Sequence, residues 1–207
     1  MIANAAQPQV RQDLRDIQRM HHVLTTLACR PDFGPSSRSA AGLLYRIEHT
    51  AAGVHILMQS LTQPSRDRLT PGYDVVGSVD LAPLLDQLNA GTHVRYRILA
   101  NPTKSIPQGP DKRGRLQALA GDEAAAWWAR KANQSGLELT STDLTAHTRL
   151  TGKRSKDGRR SRLVIDTTTF EGTTIVTDPR AINDAILAGV GHGRAYGCGL
   201  MSVAPIR

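Results

Sequence analysis

Residues Asp178–Ile206 read DPRAINDAILAGVGHGRAYGCGLMSVAPI. Asp178-Pro179 is an N-cap and N1 pair, which opens a helix to Ala188. Five glycines then fall within eleven residues, Gly189, Gly191, Gly193, Gly197 and Gly199, before a strand from Leu200 to Ile206. A dinucleotide fingerprint would need glycine in place of Arg194 and would have to follow a strand and open a helix. Here the glycines follow a helix and precede a strand, so that reading fails. Glycine weakens regular structure unless the backbone takes positive φ or passes close to a neighbour, so the loop has a structural or functional cause. Tight packing of the last helix onto a sheet is one; a site built on the loop is another.

Upstream of this segment, Val94–Ala100 alternates as a strand and runs into the turn Asn101-Pro102, followed by a polar, basic loop from Thr103 to Gln117. Glu123–Asn133 predicts a helix with Gly136 just past its end. Leu137–Leu150 and Leu163–Phe170 predict long strands, the second extended by Thr174–Thr177. The second half is thus βαββαβ, the ferredoxin-like pattern. In the first half, Asp16 caps a helix to Ala28, with Ile17, Met20, Leu24 and Leu27 at helical spacing. A Pro, Gly and Ser loop follows from Pro31 to Gly42. Leu43–His49 and Val54–Ser60 predict a hairpin, Leu61–Gly77 is turn-rich, and Leu81–Leu88 predicts a short second helix. Only Ile2 and Ala3 stand where an opening strand belongs. The expected fold is α+β, two tandem ferredoxin-like (RRM-like) domains divided as 1–90 and 91–207, the first lacking most of its opening strand.

Composition narrows the function. No stretch approaches the roughly 18 to 20 apolar residues of a membrane span, and MIANAAQPQ lacks the features of an export signal, which predicts a cytoplasmic protein. Cys29 and Cys198 are far apart and form no CxxC, and the seven histidines make no HExxH. No metal or other cofactor is expected. The net charge of +8 is concentrated: Arg149, Lys153, Arg154, Lys156, Arg159, Arg160 and Arg162 stand against Asp157 alone, so 14 residues carry +6 of it. Such a run is either a solvated loop or a contact for a polyphosphate, whose neutralisation releases condensed counterions. An RRM-type single-strand binder would stack bases on sheet aromatics. With two Phe, two Trp and four Tyr in the whole chain and no RNP1 pattern, that alternative is disfavoured.

GVGHGRAYGCGLMSVAP resembles the C-terminal glycine loop of CRISPR-associated processing endoribonucleases, and more narrowly that of the CasE branch, GxGxxxxxGxG, with Gly189, Gly191, Gly197 and Gly199 on its glycines. Further landmarks follow in order upstream: VTDP at Val176–Pro179, the basic loop, ANPTK at Ala100–Lys104, LYR at Leu44–Arg46, Gln59-Ser60, and VRQDLRDIQRMHH at Val10–His22. The similarity covers nearly the whole chain.

What the resemblance implies is specific. The substrate is the hairpin of a CRISPR repeat transcript, gripped by a basic ribbon in the groove of an A-form stem. Cleavage is metal-independent: the ribose 2′-hydroxyl attacks its own 3′-phosphate and leaves a cyclic phosphate and a 5′-hydroxyl. The product complex then joins other Cascade subunits. The catalytic histidine maps to His21. A continuous helix from Val10 to Ala28 would instead put His22 on the face with Arg11, Arg15 and Gln18, and periodicity alone would choose it; a new start at Asp16 removes that argument. Gln18 stands where some relatives carry a tyrosine that assists the histidine, and an amide can hydrogen-bond a phosphate but cannot move a proton. His21 therefore leans on a cation, for which Arg194, Arg19 and Lys104 are candidates. His192 is a second choice for proton transfer. Expected RNA contacts are Lys153, Arg154, Lys156, Arg159, Arg160, Arg162, Arg194 and Lys104. The alternative is a catalytically inactive RNA-binding subunit of the same family.

Overall fold

The computed structural model describes residues 1–29, 37–109, 114–156 and 159–206. It is a mixed α/β structure with antiparallel sheets. Two compact units are formed, one from Met1–Asp80, Arg149–Ile165 and Gly193–Leu200, the other from Leu81–Thr148, Asp166–His192 and Met201–Arg207. The described part of the basic ribbon within Arg149–Ile165 and the second half of the glycine loop thus fold with the N-terminal part of the chain.

In the first unit the chain enters as β1 (Ile2–Ala3), α1 (Pro8–Leu14) and α2 (Ile17–Ala28), then passes a single turn, α3 (Ser37–Ala40), to the hairpin of β2 (Leu44–Thr50) and β3 (Gly53–Gln59), and closes with β4 (Tyr73–Asp74). The sheet order is β2-β3-β1-β4. Short as it is, β1 fills its place: Ile2 pairs with His55 on one side and Asp74 on the other, and Ala3 with Val54 and Tyr73. The expected gap in the sheet is therefore occupied. Met20, Leu24 and Ala28 of α2 bury against Tyr45, Ile56 and Tyr73. This spacing is what the sequence offered, and truncating the fully buried Leu24 to Ala would cost about 2–5 kcal/mol.

One continuous helix from Val10 to Ala28 is excluded. Asp16 has extended backbone, φ −136 and ψ 107, and its Oδ1 accepts from the backbone N–H of Gln18 at 2.9 Å and of Arg19 at 3.3 Å. A carboxylate that satisfies two otherwise unpaired donors makes a new helix start better than a continued one.

The second unit carries α4 (Ala82–Leu85), β5 (His93–Ala100), β6 (Thr103–Ile106), β7 (Arg115–Ala118), α5 (Gly121–Gln134), β8 (Leu137–Leu139), the outer ends of β9 (Asp143–Lys156) and β10 (Arg159–Val176), α6 (Pro179–Ala188) and β11 (Met201–Pro205). Its main sheet has the order β11-β5-β10-β8, with β9 paired to β10. Trp127, Trp128, Ile182 and Ile186 bury over Val94, Tyr96, Ile98 and Phe170. Trp128 stacks on Phe170 at 5.6 Å and donates through Nε1 to the Tyr96 hydroxyl at 3.1 Å.

Three expectations change here. The helix over Leu81–Leu88 is one turn. Leu137–Leu150 is not one strand: Thr140 and Ser141 both donate backbone N–H to the Thr173 carbonyl, which breaks it into β8 and β9. The polar stretch Thr103–Gln117 holds all but the last residue of the paired strands β6 and β7, whose residues are almost all exposed and so carried no apolar alternation to read.

Candidate active site

The site grows from the start of α2. Asp16 caps the helix with Oδ1, and its other oxygen, Oδ2, accepts from the backbone N–H of Lys153 at 3.1 Å. One carboxylate thereby ties the helix that bears His21 to the ribbon that bears the basic run. Glycine at 152 is what allows the approach, since a Cβ there would lie 2.8 Å from Asp16 Oδ1 and 3.1 Å from the Gln18 backbone nitrogen. Below this tie Ile17, Ile165 and Cys198 form a small buried cluster flanked by Leu150, Leu163 and Tyr196. The ribbon is thus anchored by packing as well as by hydrogen bonding, which answers against a free solvated loop for its described part.

His21 is half-buried on α2. Burial lowers its pKa from the ordinary 6.5, and the nearby positive charge of Arg38 lowers it further; a hydrogen bond to the Ala195 backbone carbonyl offsets part of this, and His22 adds a small downward push. The imidazole is therefore predominantly neutral at pH 7. The Thr25 hydroxyl is 3.5 Å from Nδ1, a long contact. The carbonyl of Ala195 takes a ring N–H, which fixes the tautomer and leaves the other nitrogen its lone pair. The same carbonyl accepts the buried Tyr45 hydroxyl at 3.4 Å.

Ala195 and Tyr196 are held in place by the glycine loop. Gly193 (φ 79) and Gly197 (φ 87) flank the short 3-10 turn Arg194–Tyr196 in the left-handed region that favours glycine. A Cβ on Gly197 would also meet Tyr45 Cε2 at 3.1 Å. Gly189, Gly191 and Gly199 have positive φ as well, and Gly191 lies against the Trp127 ring in the second unit.

Of the expected site residues, the structure brings together His21, Gln18, the backbone at Lys153 and the second half of the glycine loop. His22 is exposed. Arg19 is engaged by buried Asp13, Nε to Oδ1 3.0 Å. Lys104 lies in the second unit, its Nζ 2.7 Å from Glu123 Oε1. His192 is also in the second unit, exposed and bridged to Asn101 through the backbone. Lys153, Arg154 and Arg162 are exposed. The side chains of Lys156, Arg159 and Arg160 lie outside the described residues. Arg194 is exposed, and its charge lowers the pKa of Arg38, a smaller influence there than burial.

Sequence reasoning missed two residues. Arg38 is half-buried, donates to the Leu43 carbonyl at 2.8 Å and acts electrostatically on His21, yet it sits in a Pro, Gly and Ser loop with no periodicity to flag it. Tyr196 places its ring edge on the His21 imidazole, with centroids 5.7 Å apart, and donates its hydroxyl to Gln18 Oε1 at 3.2 Å. Its place among the loop glycines was the available signal. Among the described residues no group of three His, Cys, Asp or Glu is placed to hold a metal ion, and no helix is long and apolar enough to cross a membrane. Cys29 and Cys198 are free and buried, and burial pushes the Cys198 thiol up to about 12.

The sequence model of the CRISPR associated protein family matches residues 1–205. The chain belongs to that family. Among its relatives in the CRISPR associated protein family, the CRISPR-associated endoribonuclease Cse3 of Thermus thermophilus is 32% identical over 99% of this chain and 98% of its own length. The CRISPR system Cascade subunit CasE of Escherichia coli is 29% identical, covering 93% and 94%. In three dimensions the chain is similar to Cse3 bound to a 19-nucleotide RNA, with a TM-score of 0.81 and 30% identity over 99% of this chain and 97% of that one. A chain of a CRISPR RNA-guided surveillance complex gives a TM-score of 0.66 at 32% identity, covering 93% and 94%.

Proposed function

We propose that this chain is a cytoplasmic, metal-independent endoribonuclease that binds the repeat hairpin of a CRISPR precursor transcript, cuts it at the base of the stem, and works with other Cascade subunits. The observation that carries the reading is the Asp16 carboxylate, which caps the helix of His21 with one oxygen and holds the basic ribbon with the other. Relatives of matching length named as an endoribonuclease and as a Cascade subunit, and a similar structure that contains RNA, support it.

The architecture fits two tandem ferredoxin-like domains. Both main sheets run 2-3-1-4 when the four strands on the main path of each are numbered in chain order, β2-β3-β1-β4 in the first and β8-β10-β5-β11 in the second, with β9 off that path. In the first domain a 3-10 turn at Arg66–Arg68 stands where the second carries a full helix between its last two strands.

In the reaction, the 2′-oxygen of the substrate attacks the adjacent phosphorus, a P–O2′ bond forms and the P–O5′ bond breaks. The nucleophile belongs to the RNA, so the protein supplies alignment, proton transfer and charge stabilisation. His21, kept neutral by burial and by Arg38, takes the 2′-proton, and the departing 5′-oxygen takes a proton from solvent water to leave as a hydroxyl. Arg38 and Arg194 supply positive charge for the phosphorane-like transition state, the role sought for a cation beside His21. Lys153, Arg154 and Arg162, with Lys156, Arg159, Arg160 and Lys104, contact phosphates of the stem. The test is incubation of end-labelled repeat RNA with wild type and His21→Ala in EDTA. Cleavage by the first and uncut, bound RNA with the second is the expected result.

A further inference from the structure

Tyr196 does more than pack. Its hydroxyl donates to Gln18 Oε1 at 3.2 Å while its ring meets the edge of His21. A phenol can donate to an amide oxygen or accept from an amide N–H, so the contact fixes where the Gln18 side chain lies. In the structure Oε1 is the atom that accepts, and the N–H donors are on Nε2. Gln18 is the second residue of α2, one turn before His21. An anionic phosphate oxygen only accepts, so it is matched to the Nε2 end of an amide held at that position.

Resting on the reading of His21 as the base of a ribonuclease, we propose that Tyr196 is a positioning residue for cleavage: its hydroxyl holds the Gln18 side chain where Nε2 donates to a non-bridging oxygen of the scissile phosphate, and its ring holds the His21 imidazole. The glycines are part of this device, because Gly193 and Gly197 set the tight turn that presents the phenol. No proton passes through Tyr196, and Gln18 acts as a hydrogen-bond donor only.

A double-mutant cycle in single-turnover cleavage of repeat hairpin RNA tests this, with Kd measured in parallel. Tyr196→Phe keeps the ring and removes only the O–H. In the wild-type background it slows the bound-state rate about tenfold, the scale of one lost neutral hydrogen bond, and leaves Kd unchanged. In the Gln18→Ala background the same substitution costs less than about twofold, because the phenol acts through the amide. A Tyr196→Phe variant that cuts at the wild-type rate, or loses the same factor in both backgrounds, overturns the proposal. If the wild-type protein leaves the RNA uncut, the ribonuclease reading fails first and the proposal falls with it, a result distinct from either pattern in the variants.

Discussion

His21 is set apart from His22 by a hydrogen bond to Ala195, by the ring of Tyr196 and by the charge of Arg38. Burial and Arg38 both disfavour the imidazolium, so the free protein titrates His21 below the ordinary value of 6.5, and a His NMR titration checks it. Replacing Arg38 by Gln removes one of those influences and raises the His21 pKa toward that value; an unchanged pKa would mean that Arg38 does not act on the ring. The sign carries over to catalysis. Because the neutral form is the base, the cleavage-competent state of the free enzyme persists further into acid than an exposed histidine allows, and it is lost as pH falls through the lowered pKa. In the residues themselves, the resemblance around DIQRMHH pointed to His21 and Gln18, whereas helical periodicity alone pointed to His22. Arg38 and Tyr196 were not legible there, because their roles depend on a loop and a C-terminal turn returning to α2 from 17 and 175 residues beyond His21. No local periodicity records such a return.

At the scale of elements, the start of α2 and the base of the ribbon are one construction. Asp16→Ala removes a cap that accepts from two backbone donors and also releases the Lys153 N–H. A cap of this kind contributes about 1 kcal/mol. The variant is therefore expected to lose about 1–2 kcal/mol in urea unfolding, and to bind hairpin RNA more weakly although no cation is deleted. Loss of stability with no change in RNA affinity would separate the ribbon from the helix. Gly197→Ala is a second check, since it combines a φ of 87 with a Cβ 3.1 Å from Tyr45. It should destabilise by about 1–3 kcal/mol and slow cleavage through displacement of Ala195. The elements themselves were largely readable: the Asp16 and Asp178 caps, the β2–β3 hairpin and the two amphipathic helices stand where spacing put them. The β6–β7 hairpin was hidden by its exposure, and the break between β8 and β9 by being a matter of pairing across the sheet.

For the whole molecule, the concentration of charge in one ribbon makes RNA affinity steeply dependent on salt. Each phosphate neutralised contributes a little under one to the slope of log K against log salt. Changing Lys153, Arg154 and Arg162 together to Ala should flatten that slope by about 2–3 while leaving the melting temperature nearly unchanged, because all three side chains are exposed. The two-unit organisation could be anticipated from the βαββαβ pattern of the second half. That the described part of the ribbon within Arg149–Ile165 and Gly193–Leu200 fold with the N-terminal unit could not, because the sequence shows where strands lie and not which core they join. The most direct measurement is product analysis of repeat hairpin RNA in EDTA, with wild type beside His21→Ala. The account predicts a 2′,3′-cyclic phosphate and a 5′-hydroxyl from the wild type, and RNA held intact at near wild-type affinity by the variant. Cleavage that requires a divalent ion, or that proceeds at full rate without the imidazole, would contradict it.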